Sequence, residues 1–70
     1  MYLGSLVTPC YYIELCEDID LREMSTSIER GSMCIVMDIE VDDDPLQTMC
    51  FVLAPNGIAG WVCKTHLRLL

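Results

Sequence analysis

Positive charge is scarce in this chain. Four lysines and arginines stand against eleven aspartates and glutamates in 70 residues, a formal net charge of −7. Contacts from such bases to phosphate dominate nucleic-acid affinity, so the composition opposes nucleic-acid binding by an isolated copy. Histidine occurs once, at His66, and neither a P-loop nor a dinucleotide-binding glycine pattern is present. No apolar run approaches the roughly 20 residues of a membrane helix. Residues 1–6 have neither the basic start nor the long apolar core of a secretory signal. These absences lead us to expect a module off the membrane, in the cytoplasm, with no cofactor.

Hydrophobic residues, by contrast, make up 53% of the chain, too many for a segment that stays solvated. A chain this short buries only roughly 60% of its unfolded surface. We therefore expect one small domain, residues 1–70, whose core is marginal without a staple or a partner. Five cysteines, Cys10, Cys16, Cys34, Cys50 and Cys63, offer such a staple in principle. Their number is odd, none form a C-x-x-C pair, and Cys34, Cys50 and Cys63 sit in apolar runs, where cysteine acts as a small buried hydrophobe. Zinc ligands come in tight pairs, and His66 stands apart from every cysteine but Cys63. Reduced thiols, no metal and a reducing compartment are the expectation.

The spacing predicts a mainly β chain. A short run over residues 3–8 is closed by Pro9. Residues 10–30 are acid-rich with no sustained period, and read either as a loop with a strand at Ile19-Asp20-Leu21-Arg22 or as a short helix over residues 14–23. Ser25-Thr26-Ser27 and Gly31 read as turns. Strands follow at residues 32–40, 47–54, 58–63 and 67–70, with an acidic loop at Asp42-Asp43-Asp44-Pro45 and a tight turn at Pro55-Asn56-Gly57. Five short strands with tight turns between the last ones suggest a strongly bent small β-barrel, with room for one short helix or 3-10 turn.

The apolar runs at residues 33–37 and 49–54 are continuous, where a lone barrel with one wet face should alternate. The reading is that one outer face is a subunit interface, with Cys34, Val36, Cys50 and Val52 as its candidates. Leu67 and Leu69 on the terminal strand join them, since an open edge invites another chain. Edge-to-edge pairing of this kind closes into a ring if the rotation permits, so a homo-oligomer, ring-like rather than monomeric, is expected.

Gly57-Ile58-Ala59-Gly60-Trp61-Val62, followed by Lys64-Thr65-His66-Leu67, resembles the end of bacterial SH3-type small barrels. Their pattern is a P-x-G turn, a G-W-V strand, a one-turn 3-10 step and a closing strand. Ile19-Asp20-Leu21-Arg22 and Glu29-Arg30-Gly31-Ser32 resemble their first strand and the opening of their second. The Sm-type barrel of RNA-binding rings shares the strand order, although Lys64-Thr65-His66 stands where Sm proteins carry an Arg-Gly pair. Short length and acidity are also similar to small proteins of tailed phages, cyanophages among them, which would place the chain in a host cytoplasm.

Catalysis is not expected. A Cys63–His66 dyad is conceivable, but a strand cysteine there should point into the barrel, and the acids from Glu14 to Glu23 are most simply a solvated face. Binding is the expected class, in one of two forms. The first is an Sm-like ring on single-stranded RNA or DNA, using Lys64, His66, Arg68 and Arg22 with Tyr11 and Tyr12 for stacking. The second is an SH3-like groove for a basic or extended peptide, lined by Tyr11, Tyr12, Trp61, Glu14 and Asp18.

Overall fold

The computed structural model describes residues 1–11, 13–16 and 24–70, so the expected strand at 19–22, with Tyr12, Asp18 and Arg22, lies outside the described residues. Seven strands form one antiparallel sheet: β1 (Leu6–Pro9), β2 (Ile13–Cys16), β3 (Met24–Ile28), β4 (Cys34–Glu40), β5 (Met49–Leu53), β6 (Ala59–Cys63) and β7 (Leu67–Leu69). Their order across the sheet is β3-β2-β6-β5-β4-β1-β7. Single-turn 3-10 segments, Pro45–Gln47 and Lys64–His66, precede β5 and β7. The strands expected near residues 3–8, 32–40, 47–54, 58–63 and 67–70 are all present. What the sequence left open is the hairpin of β2 and β3. Ser25, Thr26 and Ser27, read as a turn, are strand residues instead, with Thr26 opposite Leu15 and Ser27 opposite Glu14. Pairing with β2 there overrides the turn preference of the serines, and β-branched Thr26 suits a strand.

The tight turn also differs in detail. Gly57 N–H donates to Ala54 O at 3.0 Å, and Ala54 N–H to Ile58 O at 2.7 Å. Pro55, Asn56 and Gly57 thus form a three-residue hairpin loop, with Gly57 at φ +85° in the left-handed position such loops require. Asn56 Oδ1 accepts the Ile58 N–H at 3.2 Å. Gly31, at φ +87°, makes the turn that Ser32 N–H closes onto Glu29 O.

Among the described residues no helix longer than one 3-10 turn covers the sheet, so the sheet supplies its own second layer. Every strand sends at least one residue into one core: Val7, Leu15, Ile28, Cys34, Val36, Cys50, Val52, Val62 and Leu67, joined by Ala54. The radius of gyration is 10.6 Å, against about 11 Å for a compact chain of this length. The sheet is therefore folded over its own core, with β3 and β7 as its two edges.

Strand register then decides which apolar residues are inside. Cys34, Val36, Cys50 and Val52, expected at an outer interface, are fully buried in the core, as is nearly all of Leu67. Their neighbours Ile35 and Met37 face outward, and Met49, Phe51 and Leu53 are half-buried. The continuous runs are thus ordinary alternation with apolar residues on both faces. A bulge between Val36 and Asp38 shifts the phase of β4, so that Ile39 packs against the core. On β1 consecutive residues are buried, Val7, Thr8 and Pro9, with Thr8 Oγ1 lacking a hydrogen-bond partner among the described residues.

If the β2–β3 hairpin belongs to the core, Leu15→Ala should cost about 2–5 kcal/mol in urea unfolding, while Met37→Ala stays within about 0.5 kcal/mol. Equal small effects would detach the hairpin from the fold.

Candidate binding surfaces

Register across the sheet builds the most extended apolar feature. On the outer face, Leu6 lies opposite Ile35, Ile35 opposite Leu53, and Leu53 opposite Ala59. Leu70 continues the row past β1, its N–H donating to Leu6 O at 3.1 Å. The row Leu70, Leu6, Ile35, Leu53, Ala59 crosses the sheet without a charged side chain. Leu6 is 45% exposed, Ile35 38% and Leu70 62%, and Met33 and Met37 extend the patch along β4. Such continuity distinguishes it from the scattered apolar residues of an ordinary surface.

Further along the same face the character changes. Asp38, Phe51 and Trp61 form the next row, the two rings tilted with centroids 5.2 Å apart. Glu40, Met49 and Cys63 follow, and Asp42, Asp43 and Asp44 lie beyond, exposed. Asp42 Oδ1 accepts the Asp44 N–H at 3.4 Å and Asp44 Oδ1 the Leu46 N–H at 3.0 Å, so these carboxylates serve their own loop. At about 3.3 Å per residue, Glu40 is ~17 Å from Ile35, beyond a Debye length of about 8 Å in physiological salt.

The expected nucleic-acid residues are partly gathered. Lys64 and His66 share the 3-10 turn, exposed and half-buried respectively, and Arg68 follows on β7, exposed. Tyr11 lies tilted against the His66 ring at 5.4 Å, and Cys10 N–H donates to His66 O. Of the peptide-groove set, Trp61 packs on Phe51 and Tyr11 on His66, and Glu14 lies opposite Ser27. Leu69, another interface candidate, is 57% exposed at the end of edge strand β7.

Cys63 does not point into the core. Its Sγ lies 3.3 Å from Leu46 O, to which it donates, and 3.2 Å from Thr65 Oγ1, an arrangement that leaves His66 out. Cys10, Cys34, Cys50 and Cys63 are free thiols. Burial pushes the Cys34 thiol pKa up, and burial likewise raises that of Cys50, with Lys64 acting in the opposite direction. Among the described residues no group of three or more His, Cys, Asp and Glu is placed to hold a metal ion, and no helix is long and apolar enough to cross a membrane.

No protein-family model, no curated protein and no solved structure matches the chain. The surfaces therefore have to be read from their own chemistry.

The thiols supply one such test. Cys10 and Cys63 should react with a disulfide reagent in the native state, and Cys34 and Cys50 only on unfolding. Because the fold holds the latter two neutral, their stabilisation is complete below the ordinary thiol value of 9.0 and is lost as pH rises toward their raised values. The melting temperature should accordingly fall above about pH 9, and less steeply in Cys34→Ala; a flat profile would contradict the burial.

Proposed function

We propose that the chain is a small barrel of SH3-like type that works as a non-enzymatic assembly module, associating with further copies of itself through the outer apolar row. Supporting the barrel reading, a turn at residues 54–57, a Gly60-Trp61-Val62 strand, a one-turn 3-10 segment and a closing strand occur in the order the resemblance implies. The placing of β1 between β4 and β7, antiparallel to both, fits the same architecture. Fold alone does not assign the role. The observation that carries it is the uncharged row Leu70, Leu6, Ile35, Leu53, Ala59 across five neighbouring strand positions.

A second copy suits this surface because the row reaches the β7 edge, so that two copies meeting there make one continuous apolar band. Asp38 lies one row from it, but Glu40 and the acids of the following loop stand farther away, which limits the repulsion between two chains of charge −7. A standard interface takes roughly 800 Å² per partner, about a fifth of the 4472 Å² this chain exposes. An Sm-like ring would pair the described edges β3 and β7 of neighbouring copies, whereas most of the apolar row lies on the outer face of β1, β4, β5 and β6. A second reading, single-stranded nucleic acid, is favoured by one contact: Tyr11 against His66 beside exposed Lys64 and Arg68.

Sedimentation equilibrium at micromolar concentration separates the two. The chain should run heavier than one copy, and Ile35→Glu should return it to a single-chain mass with an unchanged circular dichroism spectrum. A single-chain mass for the unaltered protein would remove the assembly reading. Salt-sensitive oligo-U binding that survives Ile35→Glu and is lost in a Lys64→Glu, Arg68→Glu double variant would put nucleic acid in its place.

A further inference from the structure

At the end of the core opposite the apolar row's acid-free level, the folded sheet is open. Met1, Ile39, Val41, Thr48, Cys50 and Lys64 line a cleft of about 470 Å³ there, within the range of small-molecule sites. Cys50 belongs to the core, and Met1 and Ile39 pack against it, so the cleft wall is core surface that reaches solvent. Its apolar floor is fixed: Cys50 is fully buried, with its thiol 3.6 Å from Met1 Sδ. Lys64 stands at the rim as the first residue of the 3-10 turn, held by its N–H to Thr48 O at 2.9 Å. Among the described residues no carboxylate forms an ion pair with its ammonium.

We propose that this cleft binds a small amphiphilic carboxylate, an acyl chain of medium length lying on Met1, Ile39, Val41 and Cys50 with its carboxylate at Lys64. An unpaired cation beside an apolar hollow is complementary to an anionic head on an apolar tail. The placement is selective in a protein with only four Lys and Arg residues. The charges of Lys64 and of the Met1 α-ammonium both reach the floor of the cleft, where they work against the burial that raises the Cys50 thiol. A cationic amphiphile would meet those same charges. A soft metal ion would need a thiolate, and burial holds Cys50 neutral. The acidic loop follows the cleft wall at Val41, with Asp42 and Asp44 turned onto backbone N–H groups of the loop; an anionic head is better placed on the Lys64 side.

Titration of the untagged, full-length chain with octanoate, followed by amide NMR, tests this directly. Saturable shifts should centre on Ile39, Val41, Cys50 and Lys64, with octylamine and octanol weaker. Lys64→Gln should weaken octanoate about tenfold or more, the worth of a charge-assisted hydrogen bond, and leave octanol unchanged. Val41→Asp, at an exposed cleft wall, should weaken both octanoate and octanol without unfolding the chain. The proposal is overturned if no saturable shift occurs at millimolar octanoate, if the three amphiphiles bind alike, if Lys64→Gln binds as well as the unaltered protein, or if the shifts centre on Leu6 and Ile35 instead.

Discussion

A sheet that no helix among the described residues covers buries a face against itself, and that constraint organises this molecule. Seven short strands bring their inward residues to one core, and those residues are small: valine and cysteine dominate, and no aromatic ring is among them. The rings of Phe51 and Trp61 pack, tilted against each other, on the other face of β5 and β6. Fitting so many strands around one core leaves little space at the centre, so small hydrophobes fill it, and the thiols of Cys34 and Cys50 serve there as apolar volume. Their raised pKa is the electrostatic trace of that role.

The same register that fills the core creates the outer surface. Each position inside obliges its neighbours to face out, and on β5 and the first half of β4 those neighbours are again apolar. The bulge in β4 resets the phase after Val36, so Ile39 returns to the core while Asp38 and Glu40 take the outer positions. Charge is thereby confined to one end of the strand and apolar surface to the other. The acidic loop continues the charged end, and the cleft at Lys64 opens beside it. An apolar outer row and an open cleft thus arise from one strand's alternation and its interruption at the bulge.

Much of the strand layout was legible because turns and β-branched runs are local signals. Gly57 and Gly31 announced positions of positive φ, and Lys64-Thr65-His66 marked the step before the closing strand. Parity was not legible. Residues 33–37 are all apolar, so nothing local distinguishes Cys34 from Ile35; the pairings Val7 with Cys34 and Leu6 with Ile35 decide it. The β2–β3 hairpin was hidden because its acid-rich sequence holds neither helical nor strand period. The candidate sites were hidden for a related reason. The apolar row gathers residues 6, 35, 53, 59 and 70, and the cleft gathers residues 1, 39, 41, 48, 50 and 64; in both, residues distant in the chain become neighbours only through the folded sheet.

The account therefore stands or falls on which side of β4 faces the core. An aspartate scan over Cys34, Ile35, Val36 and Met37, read by chemical unfolding, tests that parity position by position. A buried unpaired carboxylate is among the most destabilising changes a core can receive. Aspartate at Cys34 and Val36 should abolish or nearly abolish the cooperative transition, while aspartate at Ile35 and Met37 leaves a folded chain of near-normal stability. The opposite pattern, or equal losses at all four positions, would contradict the register and the apolar row built on it.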